Sequence, residues 1–181
     1  MTRFLWVMAS CFSAAAATGA TFVTSPPKLI WNVSASVPVG LYAVQPADAL
    51  EVADLVAVMP PKPVASFLSG SGYLPRGVPL MKHILALPGQ TVCRERLRIT
   101  IDHVEVGEAQ ARDSRGRDLP VWEGCRTLRA GEVFLMNLGV PDSLDGRYFG
   151  PLPITSIIGR AVPLWTDEEG DGRFVWRAAT N

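Results

Sequence analysis

Three short stretches of the chain carry side chains that could do chemistry. The first is Ser34-Ala35-Ser36-Val37-Pro38-Val39-Gly40-Leu41-Tyr42, two hydroxyls followed by a proline and a glycine. Pro38 fixes its own φ and pushes Val37 toward extended geometry, and Gly40 permits a tight bend, so Ser36 would be held with little freedom of orientation. The same signals suit an ordinary hairpin turn, and this stretch alone does not separate the two. The second is Lys82, the one lysine in the apolar run Pro79-Leu80-Met81-Lys82-His83-Ile84-Leu85-Ala86-Leu87. An unpaired buried ammonium costs several kcal/mol, so Lys82 is neutralised, paired, or turned outward from an edge strand. Neutralisation is chemically useful. At an ordinary pKa of about 10.4, fewer than ~0.1% of lysines are unprotonated at pH 7, whereas a dry pocket can lower that pKa by several units and create a general base. The third is Ser143-Leu144-Asp145-Gly146-Arg147, with hydroxyl, carboxylate and guanidinium at alternate positions. They would share one face if extended; as a solvated turn, the Asp145–Arg147 pair would contribute at most about 1 kcal/mol.

The elements that must position these residues are short. A chain of 181 residues suits one domain with a short N-terminal appendage, and 16 glycines and 15 prolines favour strands and turns over long helices. Strands are expected over 40–45, 54–60, 78–89, 131–139 and 156–165, one or two more over 91–106, and a linker or first strand over 28–32. Residues 64–74 form at most a short helix, because Gly70 and Gly72 would stop it. Residues 107–120 are polar and charged and read as an exposed loop, and there is no internal repeat or low-complexity tract. The expected fold class is mostly β: short antiparallel strands with long connections. Ser36 then falls just ahead of one strand, Lys82 inside another, and Ser143–Arg147 in a turn-rich segment between two more.

Ahead of these elements, Phe4 to Val23 is a run of 20 uncharged residues between Arg3 and Lys28. About 20 apolar residues span a bilayer, and the flanking charges favour a cytoplasmic N-terminus with an exported body. A removable signal cut after the small residues Ala17-Thr18-Gly19-Ala20, or a soluble core helix, also fits the run. The expected division is an anchor or signal segment over 1–26 and a periplasmic body over 27–181, placing the protein at the inner membrane with the lipid bilayer as a partner. Cys11 lies inside the apolar run, too close to its start for a lipoprotein site. In an oxidising compartment Cys93 and Cys125 are expected to form a disulfide. Closing that loop would stabilise the fold by roughly 3–4 kcal/mol. A metal site lacks ligands, since His83 and His103 are isolated and no Cys-x-x-Cys exists, so no metal or other cofactor is expected. A net charge of zero with both signs interspersed gives nucleic acid no basic surface.

Taken in order, the three stretches resemble the type I signal peptidase superfamily of Ser–Lys proteases, and more closely its TraF-type conjugative-transfer branch. The serine box S-x-P-x-G-L-Y is matched by Ser36 to Tyr42, and the lysine box by Leu80-Met81-Lys82-His83 with Leu87-Pro88-Gly89. The closing box is matched by Ser143 to Gly150 and by Gly159-Arg160-Ala161 with Pro163-Leu164-Trp165. The resemblance runs from the apolar segment to about Trp165, and it implies a signal-peptidase-like β domain behind an N-terminal transmembrane helix. It implies Ser36 as nucleophile, neutral Lys82 as general base, the Ser36 N–H with the Ser34 hydroxyl as oxyanion donors, Ser143 orienting Lys82, and Asp145 bracing the site through Arg147. The implied substrate is an exported pilin-type precursor, cut after small residues for conjugation or type IV secretion, with the acyl-enzyme resolved by water or by the pilin's own amine. Two departures stand out: Val37 follows the serine where housekeeping signal peptidases carry Met, and Gly146 replaces a serine of the closing box. His83 would face away from Lys82 on a strand and is left out of the chemistry. A general signal peptidase and a non-catalytic anchored assembly component are the other readings. A self-cleaving repressor would share the dyad but needs a DNA-binding element where this chain has an apolar run.

Overall fold

In the computed structural model of the chain, the described residues are 3–20 and 28–178. The main sheet begins with a hairpin of β1 (Leu29–Asn32) and β2 (Val39–Gln45), joined by a loop over 33–38 that carries Ser34 and Ser36. It continues through β3 (Leu55–Val58), helix α2 (Lys62–Gly70) and β4 (Leu80–Ala86). A second sheet follows from β5 (Thr91–Glu95), β6 (Arg98–Ile101), β7 (Val104–Glu108) and β8 (Gly124–Thr127). The chain then returns to the main sheet with β9 (Glu132–Leu135), the one-turn helix α3 (Gly146–Phe149), β10 (Leu152–Pro153), β11 (Ile157–Asp167) and β12 (Val175–Trp176). The strand orders are β1-β2-β11-β3-β4-β9-β10, with β12 on β11, and β7-β6-β5-β8. Every named pairing is antiparallel.

The apolar patterns explain this layout. Leu55-Val56-Ala57-Val58 is buried at every position, as a central strand covered on both faces must be. β4 lies between β3 and β9, so Lys82 sits in the interior of the sheet and cannot turn outward from an edge. One apolar cluster takes Ala86 from β4, Phe134 from β9, Val92 from β5 and Ile99 and Ile101 from β6, and so joins the two sheets. The structure links Cys93 of β5 to Cys125, directly opposite on β8, by a disulfide, with Cα atoms 4.0 Å apart.

Residues 91–108 hold three strands, β5 to β7, where one or two were expected over 91–106, and two further segments differ from expectation. The loop over 107–120 is pinned down, with Ala109 and Leu119 buried. Asp113 accepts from the Tyr73 hydroxyl at 2.5 Å and from the Arg117 main chain at 2.8 Å, and the Arg117 guanidinium lies 4.3 Å over the Tyr73 ring. Its charged residues are thus spent on local bonds, which composition alone does not reveal. At the N-terminus, α1 (Arg3–Ala20) exposes Phe4, Trp6 and Phe12. Among the described residues no helix is long and apolar enough to cross a membrane. The expected apolar run continues to Val23, and both that end and the boundary at 26/27 lie outside the described residues.

Candidate active site

The loop bearing Ser36 is held by its own side chains and neighbours. Asn32, the last residue of β1, donates through Nδ2 to the carbonyls of Ser34, Val37 and Pro38 at 2.8, 3.0 and 3.0 Å. Its Oδ1 accepts from the Ser34 main-chain N–H and the Ser34 hydroxyl, both at 3.1 Å. Tyr42 Oη donates to the Pro38 carbonyl at 2.7 Å. Gly40 bends nothing here: it pairs with Asn32 within the hairpin at φ 148°, and a Cβ would lie 2.2 Å from the Trp165 carbonyl oxygen of β11. Glycine is required by that approach and that left-handed φ. The loop is therefore the hairpin turn its residues suggested, and it presents Ser36 half-buried at a cleft.

The cleft has a volume of about 390 Å³, and its walls include Ser34, Ser36, Lys82 and Ser143, with Leu68, Leu74 and Leu80 on the apolar side. Lys82, 3% exposed, donates from Nζ to Ser143 Oγ at 2.9 Å. Burial pushes its ammonium down from 10.5 to about 8, with Asp145 pulling the other way and Arg147 adding to the fall. Ser36 Oγ sits 3.0 Å from Ser34 Oγ. In this resting arrangement serine and lysine face one cleft, each hydrogen-bonded to a neighbouring hydroxyl and not to the other; catalytic hydrogen bonds commonly tighten only when substrate binds.

Behind the cleft, Asp145 and Arg147 do not share an extended face with Ser143. Asp145 caps α3, accepting from the Arg147 N–H at 3.1 Å, and the chain turns helical there. The pair is also not a solvated turn. Arg147 donates to Asp145 through Nε at 3.0 Å and Nη2 at 2.9 Å, with side chains 4% and 0% exposed. Nη2 further reaches the carbonyls of Val140 at 2.6 Å and Ser143 at 3.3 Å, so the pair fixes the loop that holds Ser143. Gly146 fits this corner because a Cβ would lie 2.6 Å from the Leu135 carbonyl oxygen and from the Phe134 ring. No side chain, serine included, has room there.

Structure thus brings Ser34, Ser36, Lys82 and Ser143 to one cleft and sets Asp145 and Arg147 behind it, while the Cys93–Cys125 bridge lies in the second sheet. His83 lines a different cleft with Tyr42, Asp54 and Arg160, away from the Lys82 amine. Sequence reasoning missed Asn32 and Asn137, both buried. Asn137 donates to the Ser36 carbonyl at 2.7 Å and to the Met81 carbonyl at 3.2 Å. The available signal was a lone carboxamide at or just past the end of each of two largely apolar strands. Among the described residues no cluster of metal ligands occurs.

Comparison with known proteins adds to this geometry. The family model "Signal peptidase, peptidase S26" matches residues 1–165. A conjugal transfer protein TraF of Agrobacterium fabrum (strain C58) is 36% identical over 146 residues, covering 75% of this chain and 81% of that protein. A plasmid transfer protein TraF of Escherichia coli is 31% identical over 147 residues, covering 75% and 81%. Among solved structures, a signal peptidase I from Enterococcus faecalis matches at a TM-score of 0.38 and 20% identity, over 62% of this chain and 97% of that one.

Proposed function

Since the chain belongs to the signal peptidase (peptidase S26) family and is of the TraF type, we propose that it is a membrane-anchored serine endopeptidase that matures exported pilin-type precursors for conjugation or type IV secretion. The observation that carries the reading is Lys82: a buried amine, lowered to about 8 and held by Ser143, on the same cleft as Ser36. Ser36 Oγ attacks the scissile carbonyl and gives its proton to Lys82 Nζ. The tetrahedral oxyanion is held by the Ser36 N–H and the Ser34 hydroxyl, an arrangement in which each donor is worth about 10²–10³ in rate. Collapse breaks the C–N bond as Lys82 returns the proton to the leaving amine, and the acyl group stays on Ser36. Water, or the free N-terminal amine of the pilin, then attacks the ester as Lys82 takes its proton; the Ser36 Oγ–C bond breaks as Lys82 returns that proton to Ser36 Oγ, giving a linear or a cyclic product.

Substrate would lie extended along the cleft, adding a strand to the enzyme. The leucines around the cleft favour small side chains near the cut. The family membership and the exposed apolar side chains of α1, Phe4, Trp6 and Phe12 among them, support attachment to the inner membrane with the catalytic body in the periplasm, which raises the local concentration of membrane-held precursors. Exposed aromatics clustered with Trp31 of the cleft wall, Trp165 and Trp176, support contact with the lipid surface. The test is maturation of a candidate pilin precursor in membranes carrying the wild type, Ser36→Ala or Lys82→Ala. Each variant is expected to lose at least about 10³ in rate, and unchanged maturation by either would remove the dyad. The product mass, with or without one water, separates hydrolysis from cyclisation.

A further inference from the structure

The chemistry proposed above leaves Asn137 without a part. We infer that the Asn137 carboxamide sets the spacing between the nucleophile loop and the strand of the base, as a positioning residue for the Ser36–Lys82 pair; this rests on the Ser–Lys reading of the cleft. Asn137 lies two residues past the end of β9 and is 1% exposed. The preceding Met136 N–H makes a last main-chain bond to β4, to the His83 carbonyl at 3.0 Å. From there the Asn137 main chain turns toward the buried ion pair, its N–H donating to Asp145 Oδ2 at 3.1 Å and its carbonyl accepting from Arg147 at 3.4 Å.

Its side chain stays on the β4 edge in place of the departed strand. Nδ2 donates to the Met81 carbonyl at 3.2 Å and Oδ1 accepts from the His83 N–H at 3.1 Å. These are the two bonds that one residue of a parallel strand would make across Lys82, through its N–H and its C=O. The other Nδ2 hydrogen goes to the Ser36 carbonyl at 2.7 Å, and His83 Nδ1 lies 3.1 Å from Oδ1. A flipped carboxamide would set its oxygen against two carbonyls and its N–H groups against an N–H, so the network admits one orientation. One planar group therefore ties the residue carrying the nucleophile to both residues flanking the base, and through its main chain to the Asp145–Arg147 brace. A misplacement of about 1 Å between reacting groups can cost about 10²-fold in rate.

Asn137→Asp keeps the shape and loses both donors; Asn137→Leu keeps the approximate volume and loses every bond. Full-length protein in detergent micelles would be assayed on an internally quenched peptide with alanine at the first and third positions before the cut. Both folded variants are expected to lose about 10²-fold in kcat, with KM within about threefold of wild type. A kcat within threefold of wild type in either folded variant overturns the inference. Failure of both to fold overturns it too, because Asn137 would then serve the fold and not the spacing. Loss of turnover in Ser36→Ala is the control. If Ser36→Ala cleaves the peptide like wild type, the Ser–Lys reading has failed, and the inference fails with it.

Discussion

Lys82 Nζ has a hydroxyl, Ser143 Oγ at 2.9 Å, as its hydrogen-bond partner, and the carboxylate of Asp145 acts on it without contact. That environment lowers the pKa to about 8 and has two measurable consequences. The first is in the rate. With a pKa of about 8, about one molecule in ten carries a neutral Lys82 at pH 7, against roughly one in 3,000 at 10.5. Peptide cleavage is therefore expected to rise about tenfold per pH unit below about 8 and to level off above it; a rate flat from pH 6 to 9 would exclude Lys82 as the base. The second is in stability. The folded pKa lies below the unfolded one, so between about 8 and 10.5 the unfolded chain binds the extra proton. The folded state accordingly gains stability as pH rises through that window, by about 3 kcal/mol in all, and is penalised below it. Urea unfolding at a series of pH values should show this gain in wild type and not in Lys82→Met. The difference between the two proteins isolates the residue, since Tyr42, pushed upward by burial, titrates in both.

At the scale of elements, the closing box is built from a corner, and one prediction follows from its packing. Gly146→Ser would introduce a Cβ 2.6 Å from a main-chain oxygen of β9, which cannot move without breaking the sheet. A loss of about 3 kcal/mol in urea unfolding is expected, and a neutral result would mean that α3 can lift away. The disulfide closes a separation of 32 residues in the second sheet, on strands that contribute no residue to the cleft wall. Cys93→Ser with Cys125→Ser should cost roughly 3–4 kcal/mol in stability and leave the cleavage rate of the folded protein unchanged; a matching loss of rate would tie the second sheet to the site. These elements also show what a sequence can carry. Lys82 was legible because a lysine among apolar residues has few explanations, and the 54–60 and 131–139 strands because of their apolar stretches, Leu55 to Met59 and Val133 to Met136. The helical turn at Asp145 was not, since alternating polar residues read as a strand until a cap is seen to bond the next N–H. Asn32 and Asn137 were not, because their partners lie on other segments and are chosen by tertiary pairing. The 107–120 loop looked solvated because Asp113, Arg117 and Tyr73 meet only after folding.

For the whole molecule, an aromatic cluster that reaches the cleft wall is left uncovered. Trp31 lines the cleft and stacks on Phe174 at 6.0 Å, and Phe174 in turn lies 4.8 Å from Trp165. Trp176, paired with Trp165 across β11 and β12, is 64% exposed, and Leu29 and Val33 are exposed beside the same hairpin. Aromatic side chains concentrate where one end of a surface meets lipid and the other meets water. The short β12 strand thus extends this face next to the loop that presents Ser36. If a bilayer covers the patch, it sets the height of the cleft above the membrane and brings it to the segment just outside a precursor's own span. A soluble peptide needs no such alignment. Phe174→Ser with Trp176→Ser should then slow cleavage of a precursor held in vesicles by about tenfold or more, as expected for losing an effective-concentration advantage. The same variant should cleave a soluble peptide at the wild-type rate. Equal losses on both substrates would show that the β11–β12 pairing supports the cleft itself, and no loss on either would show that the patch plays no part in bringing enzyme and precursor together.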